Sequence, residues 1–342
     1  LLLLGFSSGL PFFLTRSNLQ AWMTVENIDI TAIGLVNLVA LPYSLKFVWS
    51  PLLDRFVPPF MGRRRGWLII TQVALFLAIA AMAVQRPAQA LQLLVINAVA
   101  IAFFGATQDI AADAYRTDVL EKLEMGAGAA VFVLGYRVAL LATGSVAFIL
   151  ADRMPWPVVY LLMSVLMLIG VAAAIFAPEP VLDHNGPSSL AEAVILPFGE
   201  FFQRNGLLLG LLTLVFIVIY NLADALLGSL STPFLLNTGF SQTAIGAIRG
   251  GMGLIATIVG TLVGGSLVSK VGINRALWIF GALQALSNLG YFLLSLVGKN
   301  YLFLVLSINI ENFCGGLAAA GFVAFLMSLC NQRFSATQYA LL

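Results

Sequence analysis

The chain has 342 residues, of which 61% are hydrophobic and only 9% are charged, whereas soluble domains carry about 25% charged residues. So few charges could not cover the surface of a globular protein of this length, which excludes a soluble enzyme and makes lipid the expected surroundings. The formal net charge of +2 argues against the clustered basic surface that is typical of nucleic-acid binding.

Ten apolar runs of about the 20 residues that a helix needs to cross a bilayer follow one another along the chain. The runs lie at roughly 1–23, 31–53, 66–85, 90–113, 126–150, 157–177, 206–230, 243–268, 275–297 and 301–330, and another begins near Ser335. They predict an all-helical, multi-pass membrane protein. Because Leu1 already lies within a run and the last residues open a new one, we expect the chain to be a fragment.

One connection between the runs, at about 178–205, is long and rich in residues that break helices. It contains Pro178, Pro180, Asp183, His184, Asn185, Gly186, Pro187 and Ser188, which is typical of a linker. The tetrapeptide Thr-Ala-Ile-Gly opens the second run at 31–34 and the eighth at 243–246. This repeat predicts two similar halves: a six-helix bundle over 1–177, a cytoplasmic linker over 178–205 and an incomplete second bundle over 206–342.

The basic residues predict the orientation in the membrane, because cytoplasmic loops retain Lys and Arg. With the N-terminus in the cytoplasm, inner loops and inner helix ends hold Arg55, Arg63, Arg64, Arg65, Arg116, Lys122, Arg204, Lys270, Arg275 and Arg333. The outer loops hold Arg86, Arg153 and Lys299. The bias therefore predicts a cytoplasmic N-terminus.

Charges inside the apolar runs are the candidates for a working site, since each costs roughly 2.5–3.5 kcal/mol at a helix centre. They are Arg16, Lys46, Asp109, Asp113, Arg137, Asp224, Arg249 and Glu311. A rise of about 1.5 Å per residue places Arg137 and Glu311 near the midplane and Lys46 slightly nearer the cytoplasm. We predict that these three line a polar cavity, with snorkelling or one structural ion pair as the alternative.

Asp109 and Asp113 share a helix face because they are four residues apart, and Arg116 continues that face. Such a set could carry a proton or could serve as a cytoplasmic latch between helices, and the sequence leaves both interpretations open. Arg16 and Asp224 lie in the outer halves of the first and seventh runs, so we predict an outer gate pair there. For Arg249 the sequence indicates no partner.

The residue types of soluble-enzyme chemistry are scarce. The single histidine, His184, falls in the predicted linker, so histidine metal clusters and Ser-His-Asp triads are not expected. We predict no metal and no cofactor. The glycines at 250, 251, 253, 264 and 265 lie within apolar runs, where close helix packing explains them better than phosphate binding.

Several segments, from the first run to the last residues, carry a family resemblance. They are Gly-Phe-Ser-Ser-Gly-Leu-Pro at 5–11, Leu-Gln-Ala-Trp at 19–22, Leu-Pro-Tyr-Ser-Leu-Lys-Phe at 41–47, Pro-Leu-Leu-Asp-Arg at 51–55, Gly-Arg-Arg-Arg-Gly-Trp at 62–67, Ala-Thr-Gln-Asp-Ile-Ala-Ala-Asp-Ala-Tyr-Arg at 106–116, Gly-Tyr-Arg at 135–137, Glu-Asn-Phe at 311–313 and Ala-Thr-Gln-Tyr at 336–339. With these segments the chain resembles the bacterial muropeptide permease family (AmpG type) of the major facilitator superfamily.

The resemblance implies a major facilitator fold of two six-helix bundles related by a parallel pseudo-repeat, with at least twelve spans in the whole protein. It implies proton-driven import of N-acetylglucosaminyl-1,6-anhydro-N-acetylmuramyl peptides across the bacterial inner membrane, for cell-wall recycling. The expected partners are this sugar-peptide substrate, protons and lipid, and the expected state is a monomer.

On this resemblance we assign expected roles to the site residues. Substrate binding is expected from Gly9, Lys46, Ala106, Gln108 and Arg137. Proton coupling is expected from Asp109, Asp113 and Glu311. A cytoplasmic gate is expected from Asp54, Arg55, Arg63, Arg64, Arg65 and Arg116, and the outer gate from Arg16 and Asp224.

Two departures from the family pattern and one alternative cargo stay open. Arg16 stands where a small residue is expected, and Val57, Pro58 and Pro59 separate Arg55 from the following glycine and basic run. The alternative is another anionic cargo, as in acetyl-CoA carriers, which share the Gln-Asp-Ile motif; the continuation Asp-Ala-Tyr-Arg at 113–116 favours the muropeptide branch. The alternative from a different class of protein is a sensor or a membrane-embedded enzyme. An enzyme is supported by neither a catalytic loop nor a nucleophile.

Overall fold

The computed structural model describes residues 1–180, 187 and 189–342, apart from the side chains of Ile30, Leu35, Asn221, 223–229, Gln242 and Thr243. Most of this part is helical. The first helices are α1 (Leu2–Leu14), α2 (Ser17–Val25), α3 (Ile30–Leu35), α4 (Leu41–Leu45), α5 (Ser50–Arg55), α6 (Arg63–Met82), α7 (Leu91–Val119), α8 (Met125–Leu141), α9 (Ala147–Ala151) and α10 (Trp156–Phe176). The later helices are α11 (Leu190–Asn205), α12 (Leu207–Asn237), α13 (Gln242–Ala247), α14 (Leu254–Val271), α15 (Ile273–Ser287), α16 (Leu289–Val297), α17 (Tyr301–Leu329) and α18 (Ser335–Leu341).

The predicted membrane spans are largely confirmed by length and composition. Eight helical segments of the described residues are long and apolar enough to cross a bilayer, and nine when the bent pair of α11 and α12 is counted as one span. The eight coincide with the second to sixth and the eighth to tenth predicted runs, as Arg63–Met82 and Tyr301–Leu329 illustrate. The prediction of an all-helical, multi-pass membrane protein is confirmed.

The first predicted run is a broken helix rather than a continuous one. α1 ends at Thr15, whose hydroxyl donates to the Pro11 carbonyl over 3.0 Å. Arg16 then leaves helical geometry, with φ −120° and ψ −101°, before α2 begins. A hydroxyl that bonds the carbonyl four residues back weakens the helical ladder, and Pro11 inside α1 removes one of its backbone donors.

Short helices of other pitch interrupt the second, fifth and eighth spans. The 3₁₀-helix Val36–Ala40 lies in the second and the π-helix Ala142–Val146 in the fifth. In the eighth, the π-helix Ile248–Gly253 contains Gly250 and Gly251, and a Cβ at either would meet no atom of the described residues within 4 Å. The described part of the chain therefore gives no support to the packing role predicted for these two glycines.

Contacts divide the chain into two compact units. Unit 1 comprises residues 1–119, 131–198 and 330–341. Its helix α6 packs between α7 and α10, and α1 packs against both α7 and α10. The core is aromatic and aliphatic, with the rings of Trp22 and Tyr160 5.2 Å apart. Burial of these large apolar side chains joins the helices of the unit.

Unit 2 comprises residues 120–130 and 199–329, with Leu342. Here α17 packs along α14 and also contacts α15 and α16. The approach of α14 to α17 is close: a Cβ at Gly260 would overlap the carbonyl oxygen of Phe313, and a Cβ at Gly264 would lie 2.9 Å from the Cα of Leu317. The packing role predicted for Gly264 is confirmed, and it follows the small-residue rule for membrane helices.

The connection at 178–205 contains the helix α11, which the helix-breaking composition of its first half did not indicate. α11 is bent by 107° from the start of α12, and Gly206 between them has φ +75°, a conformation that favours glycine. His184 lies outside the described residues. The two units also group 120–130 and 330–341 differently from a division at 178–205, and the predicted domain boundaries stay a prediction.

Candidate functional site

Three of the predicted charges meet in unit 1. Asp113, on α7, forms an ion pair with Lys46 at 3.5 Å and another with Arg116, one turn later, at 2.9 Å. Lys46 reaches α7 because the short helix α4 ends there and the chain turns into the 3₁₀-helix Lys46–Val48. The sequence predicted the shared helix face of α7, and Lys46 joins it through the ion pair with Asp113. An ion pair is the alternative left open for Lys46, and its role in lining a cavity stays a prediction.

Asp109 lies one turn before Asp113 on the same face. Its carboxylate is close enough to Lys46, Asp113 and Arg116 for their charges to interact. Two carboxylates and two cations therefore form one half-buried cluster, and their formal charges cancel. Charges removed from water are tolerated only when they are paired in this way.

Arg116 is held from three sides. Its guanidinium lies 4.4 Å from the centre of the Phe132 ring and donates to the Tyr339 hydroxyl over 2.6 Å, in addition to its ion pair with Asp113. Arg116 was predicted to continue the face of Asp109 and Asp113 and also to belong to the cytoplasmic gate. The structure places it beside Asp113, and its role in the gate stays a prediction.

Arg137 is another predicted cation of unit 1. It lies half-buried on α8 beside Tyr136, five residues before the π-helix Ala142–Val146. Within the described part of the chain its Nε–H is buried without a hydrogen-bond acceptor, and no ion pair with it is found. A half-buried guanidinium in this state is complementary to a carboxylate ligand.

Three residues predicted to bind substrate are packing residues in this structure. Gln108 is 0% exposed and donates to the Ser7 hydroxyl over 3.0 Å, next to the Gln72 amide that does the same over 3.1 Å. Ala106 is also 0% exposed. A Cβ at Gly9 would lie 2.7 Å from the Tyr136 carbonyl oxygen. Substrate contact by these three stays a prediction.

Glu311 lies in unit 2, on α17, within a polar group that the sequence did not reveal. Its Oε2 accepts from the Tyr291 hydroxyl at 3.4 Å and from the Asn312 amide at 3.2 Å. Asn312 also accepts from the Thr257 hydroxyl over 2.9 Å, which ties α17 to α14. Tyr291 was missed because a tyrosine in an apolar run is indistinguishable from core packing.

Arg249 gains the partner that the sequence did not indicate. It lies in the π-helix Ile248–Gly253 and donates to the Thr232 hydroxyl over 2.6 Å. Tyr291 is near enough to interact with both Arg249 and Glu311. Arg249 and Glu311 are therefore linked through one phenol.

The predicted cytoplasmic gate contains a buried network around Asp54 and Arg64. Arg64 pairs with Asp54 at 3.0 Å and with Asp118 at 2.6 Å. Asp54 also accepts from the Thr337 backbone N–H and hydroxyl, both over 2.8 Å, and from the Ala336 N–H over 3.3 Å. The carboxylate thus caps the first turn of α18, where free N–H groups and the helix dipole favour an anion.

Other gate residues are arranged around this network. Arg63 donates to the backbone carbonyls of Asp54 and Gln332. Arg65 donates to the carbonyls of Ala174 and Ile175 at the end of α10. Arg55 is not part of the network; its guanidinium lies 5.7 Å from the centre of the Phe56 ring.

Two acids of this region were missed by the sequence analysis. Asp118 is described above, and Glu179 accepts from the backbone N–H groups of Arg64 and Arg65 over 2.9 and 3.0 Å, capping α6. Asp118 ends an apolar run and Glu179 follows one, so each resembled an ordinary solvated residue. Their roles depend on tertiary neighbours that spacing along the chain does not give.

The predicted outer gate stays a prediction. Arg16 is exposed, with its guanidinium 4.5 Å from the centre of the Phe12 ring. The side chain of Asp224 lies outside the described residues. A cavity of about 700 Å³ in unit 2, between α12 and α15, is lined by none of the predicted site residues. Among the described residues, no group of three or more His, Cys, Asp or Glu side chains could hold a metal ion.

Comparisons with known proteins extend the sequence resemblance. A family model described as Major Facilitator Superfamily matches residues 1–342. The chain is 49% identical to the anhydromuropeptide permease of Escherichia coli (strain K12), covering 100% of this chain and 70% of that protein. It is 38% identical to an uncharacterized protein of Haemophilus influenzae, covering 98% of this chain and 81% of that protein.

Among solved structures, the proton:xylose symporter XylE is similar in fold. It superposes with a TM-score of 0.70 at 13% sequence identity, covering 99% of this chain and 82% of that chain. At this identity the similarity concerns the fold alone.

Proposed function

Because the chain belongs to the major facilitator superfamily and is therefore a membrane transporter and not an enzyme, we propose that it imports anhydromuropeptides into the cytoplasm. The observation that carries the proposal is the 49% identity, over the whole chain, to a relative named for that cargo. The proposed location is the bacterial inner membrane with the N-terminus in the cytoplasm, which the excess of basic residues in the predicted inner loops supports.

The chemistry of the cargo suits the cations of unit 1. A muropeptide carries sugar hydroxyls and peptide carboxylates, and a carboxylate accepts two parallel hydrogen bonds from a guanidinium. Arg137 is half-buried and in no ion pair with the described residues, so it is the proposed carboxylate-binding residue. Lys46 is proposed as a second cation for the cargo, since its contact with Asp113 is long, at 3.5 Å.

Proton coupling is proposed to work through the charge balance of Asp109, Asp113, Lys46 and Arg116. Asp113 is held in two ion pairs, whereas Asp109 interacts with the same cations at longer range. Protonation of Asp109 breaks neither ion pair and leaves the cluster with one net positive charge. A proton on Asp109 therefore strengthens the attraction for an anionic cargo, and the cargo favours the protonated state in return.

Glu311 is proposed as a second proton-carrying group, acting in unit 2. Its hydrogen bonds from Tyr291 and Asn312 are accepted by the ionised carboxylate. Protonation weakens them and frees Tyr291, which also neighbours Arg249. Asp54, Arg63 and Arg64 are proposed to form the cytoplasmic gate, with Arg65 beside them. Arg16 and Asp224 keep their proposed role as an outer gate.

Uptake of a labelled anhydromuropeptide into right-side-out membrane vesicles tests the proposal. The full chain should give saturable uptake that an uncoupler abolishes and that excess acetyl-CoA does not inhibit. Uptake of labelled acetyl-CoA, with no uptake of the muropeptide, would move the assignment to the alternative anionic cargo. Unchanged uptake in the presence of the uncoupler would contradict proton coupling while leaving the cargo in place.

A further inference from the structure

Arg249 lies in unit 2 on a turn of helix that leaves its guanidinium accessible. It is half-buried and belongs to the π-helix Ile248–Gly253; short π-helices within α-helices occur frequently at functional sites. Gly246, Gly250 and Gly251 are exposed beside it, and a Cβ at any of the three would meet no atom of the described residues within 4 Å. As far as these residues extend, the turn is open to a bulky ligand on the side of the glycines.

The polar neighbours that the structure describes for Arg249 are hydroxyl groups. Its Nη1–H donates to the Thr232 hydroxyl over 2.6 Å, and the Tyr291 hydroxyl is near enough to interact with it. Within the described part of the chain, no ion pair with Arg249 is found. A guanidinium has five N–H donors and is suited to bind a carboxylate through two parallel hydrogen bonds.

Tyr291 connects Arg249 to Glu311 through its hydroxyl. Its ring is held in an apolar core cluster with residues of α16 and α17, and the Phe234 ring meets it edge-on at 6.2 Å. A guanidinium only donates hydrogen bonds and an ionised carboxylate only accepts them, whereas a phenol does both. Tyr291 therefore directs its hydrogen to Glu311 Oε2, 3.4 Å away, and its oxygen lone pairs are left for Arg249.

The charge of this group changes at Glu311. The other titratable groups that interact in it, among the described residues, are Tyr291 from α16, Arg249 from the π-helix and Cys314 from α17. Tyrosine, cysteine and arginine keep their protons through the acidic and neutral range. From α14 comes the uncharged Thr257, which donates to Asn312, and the side chain of Asp224 on α12 lies outside the described residues.

Protonation of Glu311 leaves Arg249 with an uncompensated charge. The hydrogen bond from Tyr291 weakens, because a neutral carboxyl group is a poorer acceptor than a carboxylate. Arg249 and Glu311 together then carry one net positive charge instead of none. An anionic ligand at Arg249 is bound more tightly in this state, and the ligand favours the protonated state of Glu311 in return.

We propose that Arg249 binds a carboxylate of the cargo when Glu311 is protonated, and that the Tyr291 hydroxyl transmits the change between them. The proposal rests on the proposed function for the anionic cargo and for Glu311 as a proton-carrying group. Arg249 is the residue that touches the cargo. Tyr291 is a positioning residue, because it acts on the cargo only through Arg249.

Modification of arginines by phenylglyoxal tests the coupling without any cargo. The rate at Arg249 is followed by mass spectrometry of the full chain at one pH, with Arg275, exposed in the first turn of α15, as the internal reference. Glu311→Gln and Tyr291→Phe should each raise the rate at Arg249 and leave the rate at Arg275 unchanged. Tyr301→Phe, at an exposed position, is the matched control and should change neither rate. An unchanged rate at Arg249 in both variants would overturn the proposal.

Binding of labelled anhydromuropeptide at acidic and at alkaline pH tests the ligand. It is measured in an Asp109→Asn background, so that this carboxylate of unit 1 does not contribute to the pH dependence. The affinity should be about 10- to 100-fold higher at acidic pH, because hydrogen bonds to charged groups are worth roughly 1.5–3 kcal/mol. Arg249→Gln should remove this difference by lowering the affinity at acidic pH, and the control Arg275→Gln should keep it. Glu311→Gln should bind at alkaline pH as tightly as the background chain does at acidic pH.

Two results of the binding measurement would overturn the proposal. One is a pH dependence that persists in Arg249→Gln, and the other is weak binding by Glu311→Gln at alkaline pH. The gain of affinity expected from Glu311→Gln cannot arise from misfolding, which only lowers binding. Should the unsubstituted chain fail to bind the muropeptide at either pH while the phenylglyoxal rates change as expected, the proposed cargo is wrong and the coupling of Arg249 to Glu311 is retained.

Discussion

At the residue scale, the charge cluster of unit 1 combines two kinds of cation. Arg116 is enclosed by Asp113, Phe132 and Tyr339, so its guanidinium is already paired with groups of the protein. Among the described residues, Arg137 forms no ion pair, and its Nε–H has no hydrogen-bond acceptor. A cation of the first kind supports the fold, and one of the second kind is suited to a ligand.

Arg137→Gln is therefore expected to weaken cargo binding about 10- to 100-fold, because hydrogen bonds to charged groups are worth roughly 1.5–3 kcal/mol. The loss should be much smaller for a cargo whose peptide carboxylates are amidated. Binding of both cargoes to the purified protein measures this. Arg153→Gln, in an exposed outer position, is the control and should change neither affinity. An equal loss for both cargoes would show that Arg137 does not bind a carboxylate.

Asp109→Asn and Glu311→Gln replace each proposed proton-carrying carboxylate by an amide, which imitates its uncharged, protonated form. Both variants are expected to lose gradient-driven accumulation of the cargo while keeping exchange of cargo across the membrane, since exchange requires no net proton movement. Accumulation and exchange are measured on the same vesicles. A variant that loses both equally has a structural or binding role instead. Asp113→Asn is the comparison, and it should impair both because it breaks two ion pairs.

At the element scale, α18 is seven residues long and depends on Asp54 for its first turn. Asp54→Ala removes the acceptor of two backbone N–H groups, and the loss of such a cap costs about 0.5–2 kcal/mol. Hydrogen exchange of the amides at 335–341 should become faster, by about fivefold for each kcal/mol. Asp118→Ala removes an ion pair of Arg64 and a side-chain hydrogen bond with Ser335, but it leaves the backbone N–H groups of Ala336 and Thr337 capped. Hydrogen exchange of the α18 amides should therefore change less in this variant. Equal effects of both variants would contradict the capping role.

Close helix packing gives a second prediction at this scale. A Cβ at Gly5 of α1 would overlap the carbonyl oxygen of Phe132 on α8. Gly5→Ala should lower the free energy of unfolding by about 1–3 kcal/mol, as overpacking does. Thermal unfolding in detergent, followed by tryptophan fluorescence, measures it. Gly34→Ala adds a methyl group that meets no atom of the described residues within 4 Å and should not destabilise; a similar loss there would count against the packing explanation.

Helix positions were more predictable than helix interruptions. A span such as Arg63–Met82 follows from hydropathy, because an apolar stretch of that length has few stable environments besides lipid. The break at Arg16 and the π-helix around Arg249 depend on side-chain bonds such as that of Thr15 to Pro11. Hydropathy averages over such local bonds, so the sequence indicated continuous helices there.

At the scale of the whole molecule, the sequence located the charges of the candidate site but not all of their partners. Lys46, Asp109 and Asp113 were predicted because a charge in an apolar run is costly. Asp118, Glu179 and Tyr291 were not, since each becomes important only through a residue far away in the chain. The same reason explains why the bond between Gln108 and Ser7 was not predicted: it joins residues that only the fold brings together.

Proton-driven import of an anhydromuropeptide is tested most directly by following cargo and protons together. The full chain is placed in sealed proteoliposomes that enclose a pH-sensitive dye, and labelled anhydromuropeptide is added outside. We expect entry of the label to acidify the interior, with no acidification when the cargo is omitted and neither signal in liposomes without protein. Entry of the label without acidification would contradict proton coupling, and acidification by other anions with no entry of the muropeptide would contradict the assigned cargo.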